Sequence, residues 1–350
     1  MNDTIFNFRQ QQILKLLKER GVLSRLNLTG EIVSKKGNSK ITVIRDLNEL
    51  VKKGYVTVQG KGRATSYSLV TKNSLLEYLD LDRYFKADQE KRNATINFNN
   101  GVYKNLSNLY SKGEIELWEE GKVKFGEAKK KLDPSIYKRE LERFVIELSW
   151  KSSQIEGNTY SLIETETLIK QDIRAQGHPE DEARMILNHK DAFDSILKNK
   201  DDFKKLNFSD VIQLHNILTK GLVTSGIRSQ KVMITGTNYE PLSDKHELEN
   251  SLKNLITHIN SITYPPERAL ILAAMIAYIQ PFADGNKRTA RMLSNAVLIA
   301  HDYLPLSYRN VDINEYRSAM IIFYETNNLF NFKHIFMDQL EFAIHNYFQQ

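Results

Sequence analysis

A loop near residue 285 combines residue types that bind phosphate. It runs from Ile279 to Arg291 with the sequence Ile-Gln-Pro-Phe-Ala-Asp-Gly-Asn-Lys-Arg-Thr-Ala-Arg. Apolar residues at helical spacing flank it on both sides, which predicts a short loop leading into the start of a helix. The amides of Gly285, Asn286 and Lys287 would then lack intrahelical partners and form a cradle for an anion, for which phosphate is the natural ligand.

Three charged side chains extend this predicted phosphate site. Arg288 and Arg291 are three residues apart, so they lie on adjoining parts of one helical face, where their guanidinium groups can bind two further phosphates. Asp284 would repel a phosphate unless a cation lies between them, and Mg²⁺ takes one or two carboxylates together with phosphate oxygens. The alternative is a buried turn whose arginines pair with acidic neighbours.

The same run resembles the signature of the Fic family, His-x-Phe-x-Asp/Glu-Gly-Asn-Gly/Lys-Arg-x-x-Arg. The matching residues are Phe282, Asp284, Gly285, Asn286, Lys287, Arg288 and Arg291. The resemblance implies a helical bundle that transfers AMP from ATP to the hydroxyl of a protein Ser, Thr or Tyr. It also implies that Asp284 holds Mg²⁺, that the loop amides with Asn286 and Arg288 bind the α- and β-phosphates, and that Arg291 binds the γ-phosphate.

One position departs from the family pattern. Gln280 stands where the family has the histidine that accepts the proton of the attacking hydroxyl. A glutamine amide cannot accept a proton near neutral pH, and losing a general base costs roughly 10²–10⁴ in rate. Two explanations stay open: a natural pseudoenzyme, or a substitution introduced to trap a substrate complex.

A second segment, residues 136–158, resembles the inhibitory helix of the same family. Its apolar stripe predicts a helix, and Ser152, Glu156 and Gly157 match the pattern Ser/Thr-x-x-x-Glu-Gly/Asn. The resemblance implies that Glu156 pairs with Arg291 and holds the enzyme off, and it leaves open a hydrolytic role for this carboxylate in removing AMP. The alternative is a plain helix end with a surface glutamate and Gly157 as its cap.

The segment 232–239 has the alternating side-chain pattern of a β-strand and then turns at Gly236, which predicts a β-hairpin in an otherwise helical body. It resembles the family's flap, which binds the target segment as an added edge strand. The predicted target-binding residues are Val232, Met233, Ile234, Thr235 and Gly236. A hairpin with only a structural role is the alternative. His189 and His215 lie among apolar neighbours on predicted helices, and we interpret them as core or interface residues.

The basic charge of the chain is concentrated at one end. Of its 49 Lys and Arg and 43 Asp and Glu, residues 1–70 hold 13 and 5, which leaves 36 and 38 for the other residues. This asymmetry favours a nucleic-acid-binding domain joined to a body with another function. The chain has no cysteine, which excludes disulfides and thiolate chemistry. Because the N-terminus lacks a signal pattern and no long apolar run occurs, we expect a cytoplasmic protein without membrane contact.

Residues 1–70 predict a winged helix-turn-helix. Three helical segments, with a turn at Gly37, Asn38 and Ser39 and a cap at Ser39, precede two alternating segments around Gly60–Arg63. The third helix would enter the major groove of double-stranded DNA and the wing would contact phosphates. The predicted contact residues are Ser39, Lys40, Thr42, Arg45, Lys61 and Arg63. Half-site recognition favours a homodimer, while protein docking is the alternative use of this domain.

The predicted fold is mainly α: a winged helix at 1–70, a connector or N-terminal helical region of the body at 71–135, and a Fic-type bundle with its small hairpin at 136–350. Two functional hypotheses follow. The first is a self-inhibited protein adenylyltransferase that uses ATP and Mg²⁺ on an unidentified protein, weakened by Gln280. The second is a nucleotide-binding transcriptional regulator that has lost catalysis. A purely structural protein fits the phosphate-site residues poorly, and whether AMP or another phosphate-containing group is moved stays open.

Overall fold

The computed structural model describes residues 6–36, 39–70 and 73–348. The fold is mainly helical, as predicted, and the described part contains one small antiparallel sheet whose strands lie in the order β1 (Leu23–Ser24), β3 (Ser66–Leu69) and β2 (Val56–Gln59). None of the helices in these ranges is long and apolar enough to cross a membrane.

Residues 6–36 and 39–70 form the predicted three helices and wing. Ser39 caps the third helix by accepting a hydrogen bond from the amide of Thr42 at 3.2 Å, and Val58 faces Tyr67 across the wing. The predicted turn residues Gly37 and Asn38 lie outside the described residues. The elements are α1 (Phe8–Arg20), β1 (Leu23–Ser24), α2 (Arg25–Lys36), α3 (Lys40–Lys52), β2 (Val56–Gln59) and β3 (Ser66–Leu69).

The region 71–135, predicted as a connector or as an N-terminal helical region of the body, contains a long helix that packs on the body. A short helix α4 (Leu81–Tyr84) is followed by α5 (Lys112–Lys131), which begins at a capping box formed by Ser111 and Glu114. Trp118 of α5 is fully buried, and Gly121 lies so close to Ile344 that a Cβ would come within 3.0 Å of its Cδ1. The close approach explains why a residue with low helix propensity occurs within this helix.

The body is a bundle around two central helices. Every residue of α12 (Asn286–Ala300) except Lys287 is buried, as is nearly all of α11 (Pro265–Ile279), because other helices surround both. The structure confirms the helices predicted on both sides of the loop. The helices of the body after α5 are α6 (Pro134–Ile155), α7 (Leu162–Gln171), α8 (Glu180–Lys198), α9 (Phe208–Leu218), α10 (Lys245–Ser261), α11 (Pro265–Ile279), α12 (Asn286–Ala300), α13 (Ile313–Thr326) and α14 (Phe330–Asn346).

Two predictions about the body need correction. The helix predicted to extend to residue 158 ends at Ile155, because Glu156 and Gly157 form a turn bonded back to Ser153 and Gln154. The segment 232–239 turns at Gly236, with φ at +84°, but forms no strand pairing within the described structure. Its polar groups bond instead to side chains and backbone from other parts of the fold, which removes the need for a ladder.

The winged helix packs directly against the body through aromatic rings. Phe6, Tyr55 and Tyr78 surround Phe330 of α14, with ring centroids 5.5–6.1 Å from its ring. The hydroxyl of Tyr55 also hydrogen-bonds His334 Nδ1. These five residues, named here the junction cluster, continue the core of the winged helix into α14.

Candidate functional site

The loop between α11 and α12 is held rigidly. The Asn286 side chain accepts a hydrogen bond from the amide of Phe282 at 2.9 Å and donates one to its carbonyl at 2.8 Å. Phe282 is buried and stacks on the ring of His215, with centroids 3.6 Å apart. Gly285 has φ at +77°, and a Cβ there would lie 2.7 Å from Thr219. The α12 N-terminus therefore begins at a fixed position.

Gln280 occupies a constrained position at the end of α11. Its backbone is left-handed, with φ at 53°, and forms the C-cap of α11. Its side-chain nitrogen donates to the carbonyl of Ala277 at 2.7 Å, and its own carbonyl accepts from Arg228 Nε at 2.7 Å. The amide is thus fixed by hydrogen bonding, and burial leaves the residue 7% exposed.

Arg288 presents unused hydrogen-bond donors beside an exposed carboxylate. The residue is 1% exposed, and its Nη2 contacts Asp284 Oδ2 at 2.8 Å. Its Nε and Nη1 atoms have no hydrogen-bond partner in the described part of the chain. Burial lowers the pKa of Arg288, although Asp284 and Glu156 oppose that shift. Buried donors without acceptors are costly, and phosphate oxygens are suitable acceptors for them.

Arg291 is saturated by partners from α6 and α13. Its Nη2 donates to Glu156 Oε1 at 3.0 Å and to the Ser152 carbonyl at 2.9 Å, and its Nε donates to the Ser152 hydroxyl at 3.0 Å. The Tyr316 hydroxyl lies 3.3 Å from Nη1. The contact between Glu156 and Arg291 is the one that the resemblance implies.

Glu156 is a charged bridge between two cations. Its other oxygen lies 3.3 Å from Lys287 Nζ. Burial raises the pKa of Glu156, but Arg291 and Lys287 outweigh burial and hold the pKa below its usual value, so the carboxylate is ionised at neutral pH. For Arg291, burial lowers the pKa, and Tyr316 and Glu156 overcome that effect and raise it.

A cavity of about 500 Å³ brings these groups together. Many of the predicted site residues line it: Glu156, Val232, Met233, Ile234, Thr235, Gln280, Asp284, Asn286 and Lys287. The predicted site residues that do not line it are Arg288, Arg291, Gly285, Ser152, Gly157 and Gly236. Its volume is within the range of small-molecule sites, and the lining combines apolar groups with a few charged ones.

The sequence analysis missed the contribution of α13. Tyr316, Arg317, Met320, Ile321 and Tyr324 also line the cavity. Tyr316, Met320 and Tyr324 are spaced by four residues, which indicated one helical face but not what this face contacts. Only the fold reveals that this face forms a wall of the cavity.

A buried carboxylate on α13 anchors the segment 232–239. Glu325 is fully buried and accepts hydrogen bonds from the hydroxyls of Thr237 at 2.7 Å and Tyr84 at 2.6 Å. Arg92 lies 3.4 Å from it and donates to the carbonyl of Gly236 at 2.8 Å. No local pattern relates these residues, so the sequence analysis could not find this anchor.

Two buried histidines near the loop are neutral, in line with their interpretation as core residues. Burial, reinforced by Arg288, lowers the pKa of His215 to about 4. Burial lowers the pKa of His189 to about 3. His215 Nδ1 lies 3.1 Å from Thr289 Oγ1, and His189 Nε2 lies 2.9 Å from the Ser152 hydroxyl. The two rings thus contact Thr289 of α12 and Ser152 of α6, next to the residues of the site.

The predicted DNA-contact residues lie at the start of α3 and in the wing. Ser39, Lys40, Arg45 and Lys61 are exposed, whereas Thr42 is half-buried and its hydroxyl bonds that of Ser39 at 2.9 Å. The side chain of Arg63 lies outside the described residues. The exposed cations thus occur on elements that can approach a duplex.

Comparisons with known proteins agree with both parts of this architecture. Residues 205–298 match the model of the Fic/DOC family, and residues 9–69 match that of the DeoR-like helix-turn-helix domain. A protein adenylyltransferase Fic from Nematostella vectensis is 27% identical over 190 residues, which are 51% of this chain and 43% of that protein. One from Aedes aegypti is 28% identical over 176 residues, 48% and 35% of the two chains. The chain thus spans less than half the length of these relatives.

Solved structures support the fold. Fic-1 from Caenorhabditis elegans superposes with a TM-score of 0.56 at 20% identity, covering 67% of this chain and 71% of that one. A Fic domain containing signaling protein from Bacteroides thetaiotaomicron gives a TM-score of 0.54 at 21% identity, covering 65% and 95%. The chain therefore contains a region at 205–298 that matches the Fic/DOC family and a region at 9–69 that matches the DeoR-like helix-turn-helix domain, and its fold is similar to that of solved Fic structures.

Proposed function

We propose that the chain is built to transfer AMP from ATP to a protein hydroxyl, with catalysis weakened or abolished by Gln280. The observation that carries this proposal is the pair of buried Arg288 donors that have no partner among the described residues, at the N-terminus of α12 beside the exposed Asp284 carboxylate. The relatives named protein adenylyltransferases support the same reaction class.

The loop provides the groups that a magnesium triphosphate needs. The amides at the start of α12 and the donors of Arg288 and Asn286 would bind the α- and β-phosphates, while Arg291 would bind the γ-phosphate. Asp284 fits a magnesium ligand because its carboxylate is 64% exposed at the cavity. When bound, Mg²⁺ would neutralise the phosphates, and it would take water and phosphate oxygens besides this carboxylate.

The reaction requires a proton acceptor. The hydroxyl oxygen of the target forms a bond to the α-phosphorus, the bond between this phosphorus and the bridging oxygen breaks, and pyrophosphate leaves. The hydroxyl proton must leave as well, and Gln280 cannot take it. No histidine lines the cavity within the described residues. Nucleotide binding without efficient turnover is the expected result.

Glu156 would regulate this site by occupying Arg291. Because the carboxylate is within 3.0 Å of Arg291 Nη2, it competes with a γ-phosphate for the same guanidinium. The residues Val232–Gly236 would bind the target segment along their backbone. Met233, which is 89% exposed, lies on this segment beside the cavity.

A second candidate is a catalytically inactive, nucleotide-binding transcriptional regulator. Gln280 favours it, as does the direct packing of the winged helix on α14. In this case ATP would act as a signal and the α3 surface would bind double-stranded DNA, most simply as a homodimer on two half-sites.

The experiment that tests the first candidate restores the base. We expect Gln280→His to produce AMP transfer from α-labelled ATP to this chain or to proteins of an extract, and Gln280→His with Glu156→Gly to increase it. Gln280→Asn is the matched control, since it alters the same position without supplying a base. Absence of transfer in the double variant, with ATP-dependent DNA binding retained, would favour the regulator instead.

A further inference from the structure

One face of α3 is exposed along the length of the helix. It is formed by Ile41, Arg45, Asn48 and Lys52, and the side chains of all of them are exposed. At about 100° per residue, these positions lie within about 60° of one another around the helix axis. We name this set the 41–52 face.

The two acidic residues of α3 are bound by other parts of the winged helix. Asp46 is 2% exposed and accepts a hydrogen bond from Arg9 Nε of α1 at 2.6 Å. Glu49 accepts a hydrogen bond from the amide of Gln10 at 2.9 Å and lies 3.6 Å from Lys53 Nζ. The 41–52 face is therefore left with two cations and no carboxylate.

The polar side chains of the 41–52 face are free to bind a partner. Among the residues that the structure describes, neither Arg45 nor Asn48 has a hydrogen-bond or ion-pair partner in its side chain. The amide of Asn48 has donors and an acceptor in one plane, which is the arrangement that pairs with N6 and N7 of adenine in the major groove. An exposed asparagine on this face can thus distinguish one base from the others.

Ile41 adds an apolar contact point to the same face. Its side chain is 79% exposed, and the half-buried Ile44 lies about one turn further along the helix. A single exposed apolar residue is common on protein surfaces and is uninformative by itself. In the major groove, however, thymine is the base that presents a methyl group, and apolar side chains are what contact it.

The surroundings of the 41–52 face favour DNA over an apolar protein partner. Lys40 and Lys61 are also exposed, and residues 1–70 hold 13 Lys and Arg against 5 Asp and Glu. An apolar partner gains nothing from these cations, whereas a duplex carries a negative charge on every phosphate. Residues 9–69 match a helix-turn-helix domain, and in such domains the N-terminal residues of the recognition helix face base edges.

The distance between Ile41 and Asn48 sets the spacing of the bases that they can contact. Seven residues correspond to about 10 Å along the helix axis. Successive base pairs are about 3.4 Å apart. The two side chains would therefore meet base pairs about three steps apart.

We propose that α3 reads two A·T pairs about three steps apart in each half-site, a thymine through its methyl group against Ile41 and an adenine through the amide of Asn48. Arg45 and Lys52 supply the positive charge that holds this face in the groove. The inference rests on the proposed binding of double-stranded DNA and adds to it which bases are read.

The test uses the full chain and the duplexes that it enriches from a random library, with and without ATP and magnesium. Each thymine of an enriched site is then replaced by deoxyuridine, which lacks only the methyl group. We expect one such replacement in each half-site to weaken wild-type binding about three- to five-fold, the effect of one buried methyl group. Ile41→Ala should bind both duplexes equally, because it no longer contacts the methyl group.

Ile163→Ala is the matched control. Ile163 lies on α7, has the same side chain and is 76% exposed, so this variant should keep the methyl sensitivity of the wild type. Asn48→Ala should relax the preference for adenine about three base pairs from the sensitive thymine. All three positions are exposed, so the variants carry little risk to folding.

The outcomes separate the base readout from DNA binding as such. Loss of the methyl effect in Ile41→Ala, with the control unchanged, supports the readout. Methyl sensitivity that persists in Ile41→Ala, or a bound site without a sensitive thymine, would overturn the readout and leave DNA binding intact. If the wild type enriches no duplex under either condition, as when the 41–52 face docks on a protein instead, the proposed DNA binding fails together with this inference.

Discussion

Replacing Glu156 with glycine should make the protein less stable alone but a tighter binder of ATP with magnesium. The carboxylate contacts Arg291 Nη2 at 3.0 Å and Lys287 Nζ at 3.3 Å. Arg291 keeps its three contacts with Ser152 and Tyr316 in the variant, so the guanidinium stays in position. The change therefore removes a competitor for the γ-phosphate and leaves the rest of the site in place.

The two effects have estimable sizes. A charge-assisted hydrogen bond contributes about 1.5–3 kcal/mol, so removing the competing carboxylate should tighten ATP binding about 10–100-fold. Removing one partner of a buried ion pair costs about 3–5 kcal/mol, and the remaining partners of Arg291 place the cost near the lower end. Because Glu156 has a lowered pKa, both effects persist across neutral pH.

The assay combines calorimetry with thermal unfolding, each with and without ATP and magnesium. Glu156→Ala should give the same gain in affinity, which separates loss of the carboxylate from the added backbone freedom of glycine. Glu142→Gln is the control for charge, since Glu142 lies on the same helix with a side chain 48% exposed. We expect this control to match the wild type.

An unchanged Kd for ATP in the Glu156→Gly and Glu156→Ala variants would refute competition between the Glu156 carboxylate and the γ-phosphate for Arg291. If neither variant nor the wild type bound ATP with magnesium, the phosphate site itself would be wrong. The assigned activity would then be wrong as well.

Three further predictions concern other parts of the chain. Glu325→Gln should lower the free energy of unfolding by about 3 kcal/mol and speed amide hydrogen exchange in residues 232–240, because it leaves the buried side chain of Arg92 without its counter-charge. Unchanged exchange would contradict the role of Glu325 as the anchor of this segment. Arg45→Ala should weaken binding to duplex DNA and reduce by about one the slope of the logarithm of the binding constant against the logarithm of the salt concentration. The control Lys15→Ala, at an exposed position on α1, should not do so, and equal effects of the two variants would contradict recognition by α3. Asp338→Asn should stabilise the protein at pH 8 by up to about 4 kcal/mol and little near pH 4, as unfolding titrations would measure. The folded state retains this proton up to about pH 7, so the wild type loses stability as pH rises to that value; a pH-independent difference would contradict the burial of this charge.

Much of the fold was predictable because its signals are local. Ser39 caps α3, as predicted, and Ser161 with Glu164 forms a capping box at the start of α7. The apolar segments on both sides of the signature loop predicted the helices α11 and α12. These features depend on residues three or four apart, whose contacts the helix itself determines.

The missed features depend on long-range contacts. The bounds of helix α5 were not predicted within 71–135, because glycines such as Gly121 and a lysine-rich end weaken its pattern, while its packing against Ile344 supplies the stability. The hairpin prediction was wrong because Glu325 and Arg92, distant in sequence, bind the segment around Gly236. An alternating side-chain pattern cannot reveal that distant side chains will take the place of the hydrogen bonds between paired strands.

The junction cluster has a consequence for how the two domains work together. Because Phe330 and His334 of α14 complete the apolar interior of the winged helix, α3 cannot turn freely about a tether. Once α3 lies in a DNA groove, the direction in which the nucleotide cavity opens is set relative to the duplex axis. A protein that enters the cavity while DNA is bound must therefore approach from a direction that the duplex does not block.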